Sequence, residues 1–131
     1  MQYDQFVHQV QHRAHLSSSG EAVKAIHATL QTLGERLQPG AARNLGAQLP
    51  EEIAHYLDGA AGQESFDADE FYERICFHEG TGLHTGIFHA RAVISVLQEA
   101  VSAGEIEDIR SSLPKSYAPL FDSGAEGTMK G

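Results

Sequence analysis

Apolar residues along this chain recur at the three-four spacing of one helix face, not at the alternation of a strand. Val23, Ile26, Leu30, Leu33 and Leu37 form one stripe, and Ile87, Ala90, Ile94, Leu97 and Val101 form a second. Shorter stripes precede each long one. Tyr3, Phe6, Val10 and Ala14, then Phe71, Ile75 and Cys76, predict helices over about 4–14 and 68–78. Asp67 followed by Glu70 has the layout of a capping box, in which side-chain oxygens accept from the free amides of the first turn. Gly40 and Gly104 follow the long stripes and read as helix stops, since glycine tolerates the left-handed conformation common at helix ends. Short helices are then expected over Ala42–Gln48 and Ile106–Ser112. Pro50 and Pro114 open one more each, where a missing N–H costs nothing. The expected class is all-α.

The stripes also keep one register. At an offset of 64 residues Val23 falls on Ile87, Leu30 on Ile94 and Leu37 on Val101, and the match continues through Gly40 on Gly104 and Leu49-Pro50 on Leu113-Pro114. Upstream, with one residue of slippage, "YDQFVHQV" falls on "ADEFYERI". This pattern reads as a tandem duplication of a helical unit of roughly 60 residues. The units would be 3–58 and 67–122, packed as one domain over 1–122. A unit that small buries too little surface alone, so a shared core about a pseudo-twofold axis is expected. The joint "DGAAGQESFD" (58–67) is small and polar, and residues 123–131 carry no apolar period and read as a disordered tail.

Composition narrows the partners. The 131 residues carry 18 acidic side chains against nine Lys and Arg, a net charge of −9, with no run of basic residues. Nucleic acid and anionic membrane are therefore not expected partners. No stretch is apolar enough to span a bilayer, and the start "MQYDQFVHQV" lacks the layout of a signal peptide. The single cysteine, Cys76, excludes an internal disulfide and a cysteine-based zinc ribbon. A cytoplasmic protein is expected.

The segments "YDQFVHQV", "LQTLGERLQPGAARNLGAQLPEEI", "HARAVISVLQEAV" and "LPKSYAPLF" together resemble the bacterial domain-of-unknown-function family 2267. The resemblance covers roughly residues 2–121. It implies an all-α pair of related helical units and carries no catalytic, binding or cofactor residue. Where the family tends to place an acidic helix start before "HARAV", this chain has "GTGLHTGIF", so the resemblance supports His89 and not His84.

Eight histidines are the candidate chemistry. One group, His78, His84 and His89, surrounds a glycine-rich turn, with Glu79 close by. A tetrahedral zinc site needs three or four such donors converging on one point, and this group has no pair one helical turn apart. His78 suits the negative end of a helix dipole, and His89 flanks the apolar stripe, where its ring can be buried against a bonding neighbour. The other group, His8, His12 and His15, lies with Asp4 on one face of the first helix, at a spacing that can bind Zn²⁺, Ni²⁺ or Cu²⁺. Its matched positions in the second unit are Glu73, Phe77 and Gly80, which repeat none of it. For both groups the structural reading is preferred over the metal reading. Cys76 sits on an amphipathic helix as a packing residue, "SSS" at 17–19 lacks the setting of a serine nucleophile, and no phosphate loop is present. No catalytic residue and no cofactor is expected. The preferred function is a non-enzymatic helical module that binds a protein partner, itself as a homo-oligomer, or a small ligand in the groove between the units; the alternative is a histidine-dependent metal-binding protein or metal-dependent enzyme.

Overall fold

The computed structural model describes residues 1–58 and 64–125, and these fold into eight α-helices with no strand among them. The helices are α1 (Tyr3–Arg13), α2 (Ser19–Arg36), α3 (Pro39–Gly46), α4 (Glu51–Ala54), α5 (Ala68–Glu79), α6 (Leu83–Ala100), α7 (Ala103–Ser111) and α8 (Ala118–Ala125). A 3-10 turn at His55–Leu57 extends α4, and another at Lys115–Tyr117 leads into α8. Helix α8 carries the chain three residues past the expected end of the folded part at 122; residues 126–131 of the expected tail lie outside the described residues.

The long helices α2 and α6 pack on each other at the centre. Helix α1 covers its neighbour α2 and also crosses onto α6, while α5 covers α6 and crosses onto α2. The 3-10 turn after α4 lies on α2, α8 lies on α6, and α3 meets α7. One continuous core results, with Phe6, Ile26, Leu33, Phe71, Ile94 and Phe121 all buried in it. The single stripe expected on the long helices understates their burial. From His89 to Leu97 every residue of α6 except Arg91 is buried, because α6 is covered by α1, α2, α5 and α8 together. A helix enclosed on all sides needs apolar or small residues around its circumference.

The ends of the long helices are set differently from the expectation. Gly40 lies inside α3 and Gly104 inside α7, and neither has a positive φ. Helix α2 stops because Leu37 and Gln38 turn extended ahead of Pro39, whose ring disfavours helical geometry in the preceding residue. Helix α6 stops at an extended Val101, after which the Ser102 hydroxyl accepts from the Glu105 amide and starts α7. The Asp67 carboxylate caps α5 in the same way, accepting from the Glu70 amide at 3.1 Å.

The joint before α5 is less polar in use than in composition. Residues 59–63 lie outside the described residues, but Phe66 is buried and held on several sides. Its carbonyl accepts from Arg36 Nε at 2.8 Å and from the Tyr117 hydroxyl at 2.8 Å. The Arg74 guanidinium lies over its ring, 3.9 Å from the centroid. The Glu64 amide donates to the Glu35 carbonyl at 3.0 Å, so this segment runs pinned along the end of α2.

Gly34 is where backbone meets backbone. A Cβ at this position would lie 2.6 Å from the Leu57 carbonyl oxygen, so α2 and the turn after α4 can approach only over a glycine. Gly34→Ala is expected to lower the stability to urea by about 1–3 kcal/mol, an overpacking penalty. Gly40→Ala, with open space around the added methyl, is expected to be neutral or to gain up to about 1 kcal/mol. Equal effects of the two changes would remove the close approach as a constraint.

Burial pushes the Tyr117 hydroxyl up from 10.0 to about 12. Because the folded state prefers the neutral phenol, this contribution is complete below pH 10 and is lost as pH rises through 12. Tyr117→Phe is expected to cost about 1 kcal/mol at neutral pH and to flatten the loss of stability over that alkaline window, measured by urea unfolding at a series of pH values.

Candidate functional site

The hairpin of α5 and α6 contains the histidine-rich stretch. Gly80 takes φ 74°, and its amide and that of Thr81 both donate to the Cys76 carbonyl, closing the end of α5. Only glycine adopts this left-handed geometry without a Cβ penalty. Gly82 then precedes α6, and Gly86 packs directly on the Cys76 side chain, with no room for a Cβ.

Beneath the turn lies a buried polar pair. His89 Nδ1 stands 2.6 Å from Glu79 Oε2, with the two residues only 8% and 4% exposed. The ring nitrogen donates and the carboxylate accepts, so each group answers the other's loss of water. Glu79 Oε1 is buried and has no hydrogen-bond partner among the described residues. The sequence expectation that His89 buries its ring against a bonding neighbour holds, and the neighbour is the carboxylate at the end of α5.

The remaining candidates separate from this pair. His78 sits at the surface of α5, its Nε2 3.8 Å from Glu35 Oε2 on α2. His84 is exposed in the first turn of α6. Along α1, His8 and His12 are exposed one turn apart, as the spacing implied. His15 leaves that row: α1 ends at Arg13, and His15 takes φ 56° in the turn that follows. Its amide bonds the His12 carbonyl, the Leu16 amide bonds the Gln11 carbonyl, and its ring stacks on Phe88 with centroids 5.8 Å apart. This reversal is a Schellman-type helix end, built here without glycine. Among the described residues no group of three or more His, Cys, Asp or Glu side chains is placed to share a metal ion. Neither His78, His84 and His89 nor His8, His12 and His15 are gathered in that way.

Cys76 is buried, its thiol 3.5 Å from the Gly82 carbonyl. Burial pushes this thiol up, and the Glu79 charge adds to the shift, which is opposite to what a thiolate nucleophile requires. Packing is its use.

Two features were not found from the sequence. The first is a charged clasp in which Arg74 of α5 meets Glu35 of α2 at 2.9 Å, together with Glu64 at 3.0 Å and Glu70 at 2.7 Å. On the other side Arg13 of α1 meets Glu99 of α6 at 2.7 Å and the Ser95 hydroxyl at 3.0 Å. Only the Glu70–Arg74 pair, one helical turn apart, has a local pattern; the contacts to Glu35, Glu99 and Ser95 are too distant in sequence to leave one. The second is Phe77, 83% exposed, with Leu83 53% exposed after the turn. Here a signal existed, since Phe77 lies off the Phe71–Ile75 stripe. An open depression of about 400 Å³ beside Phe77 is lined by Glu35, Glu70, Glu73, Arg74 and His78.

Residues 3–120 match the model of a family described as Uncharacterized conserved protein (DUF2267). The chain belongs to this family. No curated protein matches it. The DUF2267 match runs from the first residue of α1 into α8, so the hairpin, the buried pair and the clasp all lie within the family's span. Among the described residues no helix of this DUF2267 chain is long and apolar enough to cross a membrane.

Removing one partner of the buried pair strands the other. His89→Ala is expected to cost about 3 kcal/mol, as when a buried charge loses its mate. Glu79→Ala with His89→Ala is expected to cost clearly less than the sum of the two single changes, read by a double-mutant cycle in urea. Additive losses would mean that the two side chains act independently.

Proposed function

We propose that this DUF2267 protein is a non-enzymatic helical binding module, made from a tandem duplication of a unit of roughly 60 residues and working in a bacterial cytoplasm. The element order supports the duplication: α1, α2 and α3 are followed by α5, α6 and α7 in closely similar lengths, and each series ends in a short helix joined to a 3-10 turn, α4 with 4 residues and α8 with 8. The cross-contacts support a pseudo-twofold relation, since α1 on α6 mirrors α5 on α2, and α2 with α6 and α3 with α7 each meet their own counterpart. At the 65-residue offset of the first helices Arg13 corresponds to His78, and at 64 Glu99 corresponds to Glu35, so the pairs Arg13–Glu99 and His78–Glu35 occupy equivalent places.

The observation that carries the binding role is the pair of exposed apolar side chains on the second hairpin. Phe77 and Leu83 stand where the first hairpin has His12 and Ser19. The fold accepts polar residues at those places, so their apolar character serves something other than folding. Burying a side chain of this size against a partner gains roughly 1.5–3 kcal/mol.

Phe77→His with Leu83→Ser gives the second hairpin the residues of the first. Unfolding in urea is expected to be unchanged within about 0.5 kcal/mol, as for a surface change. Quantitative pull-down with the two proteins is expected to lose specific partners from the variant. Identical recovered sets would remove this hairpin as the binding surface.

A further inference from the structure

We propose that the α5 face carrying Glu70, Glu73 and Phe77 docks a basic, amphipathic helical segment of a partner protein. The proposal rests on the binding-module reading and names the chemistry of the partner. These three residues stand at i, i+3 and i+7 and so form one continuous row along α5, all exposed. Phe77 at its C-terminal end offers a large apolar anchor, 83% exposed.

Charge selects what can cover this row. The depression beside Phe77 is lined by three carboxylates, Glu35, Glu70 and Glu73, against one guanidinium and the His78 ring. That guanidinium, Arg74, is engaged by Glu35, Glu64 and Glu70, and it is turned onto the ring of Phe66. The Glu73 carboxylate makes no side-chain hydrogen bond or ion pair among the described residues. Four carboxylates thus stand against one guanidinium on this surface, with Glu70 shared with Arg74 and Glu73 unshared, beside one exposed aromatic ring. A second copy of this chain, at net charge −9, brings like charge to the contact. Nucleic acid and anionic lipid have the same sign. A helix whose apolar stripe meets Phe77, with Lys or Arg one and two turns along, satisfies both the ring and the carboxylates.

The first hairpin is the internal comparison. Its matched row is Gln5, His8 and His12, which has no carboxylate and no large apolar side chain. One half of the molecule thus carries the acidic and aromatic row on a backbone whose other half does without it.

The test uses the full chain and a fluorescent synthetic helical peptide with a leucine stripe flanked by lysines, followed by anisotropy. A peptide with the same stripe flanked by glutamates is the control. The lysine peptide is expected to bind, more weakly as salt rises, and the glutamate peptide at least about tenfold more weakly. Phe77→Ala, and separately Glu70→Lys with Glu73→Lys, are each expected to weaken binding by about tenfold, whereas His12→Ser leaves it unchanged. Thermal melting of each variant checks that the fold is intact. Equal binding of both peptides, indifference to Glu70 and Glu73, or no binding of the lysine peptide would overturn the basic partner. Self-association lost in Phe77→Ala would also overturn it and assign the face to a second copy. If the pull-down with Phe77→His and Leu83→Ser still loses partners while the lysine peptide fails, the binding module stands and only the partner's chemistry falls. If both fail, the module reading falls as well.

Discussion

The packing of α2 against α6 is the constraint on which the rest of this structure depends. Each half supplies one long helix whose apolar surface is too wide for its own short helices to cover. The uncovered part is closed by the opposite long helix and by the first helix of the opposite half. Because α1 reaches α6 and α5 reaches α2, neither half completes its core from its own residues. Apolar burial of this kind is non-directional, and direction comes from details around it. Gly34 lets the Leu57 backbone close onto α2, and Gly86 lets Cys76 close onto α6. The Arg13–Glu99 and Arg74–Glu35 pairs tie each first helix to the long helix across from it. Part-exposed pairs of this kind contribute little stability and mainly fix relative position.

The hairpin of α5 and α6 carries polar and apolar chemistry that the hairpin of α1 and α2 lacks, and in opposite places. Inside, Glu79 and His89 form a buried hydrogen-bonded pair, whereas the residues 65 and 64 positions earlier are Ala14 and Ala25. Outside, Phe77 and Leu83 are exposed, whereas the residues 65 and 64 positions earlier are His12 and Ser19. A buried ionisable pair is a weak source of stability, because desolvation offsets most of its attraction, but it is intolerant of losing one member. It locks the end of α5 to α6 directly beneath the turn that separates the two exposed apolar residues. In this way a polar interior pair can hold an apolar exterior surface in a fixed shape.

The fold was legible in the chain to the extent that its physics is local. The three-four stripes located all the long helices, the Asp67 cap fell where the sequence placed it, and the proline after each Leu stands at the head of the last helical segment. The role of His89 was legible because a polar ring at the flank of a buried stripe must find a partner. The helix stops were misread, because glycine serves a helix start as well as a helix end, and Pro39 with Val101 had already ended the long helices. His15 was misplaced for the mirror reason. Nothing but the chain turning marked the end of α1, since a histidine stands in the left-handed position where Gly80 stands in the second half.

The sequence by itself determined helix positions, the acidic charge balance and the all-α class, since each follows from spacing and composition within a few turns of chain. Only the tertiary structure decided that His78, His84 and His89 part company, that Arg74 gathers three carboxylates, and that Phe66 plugs the joint instead of hanging from a polar linker. Those outcomes depend on which residues distant in sequence share a surface once α2 and α6 have met. Periodicity gives the face of a helix, but the partner on that face is chosen by shape and charge across the whole core.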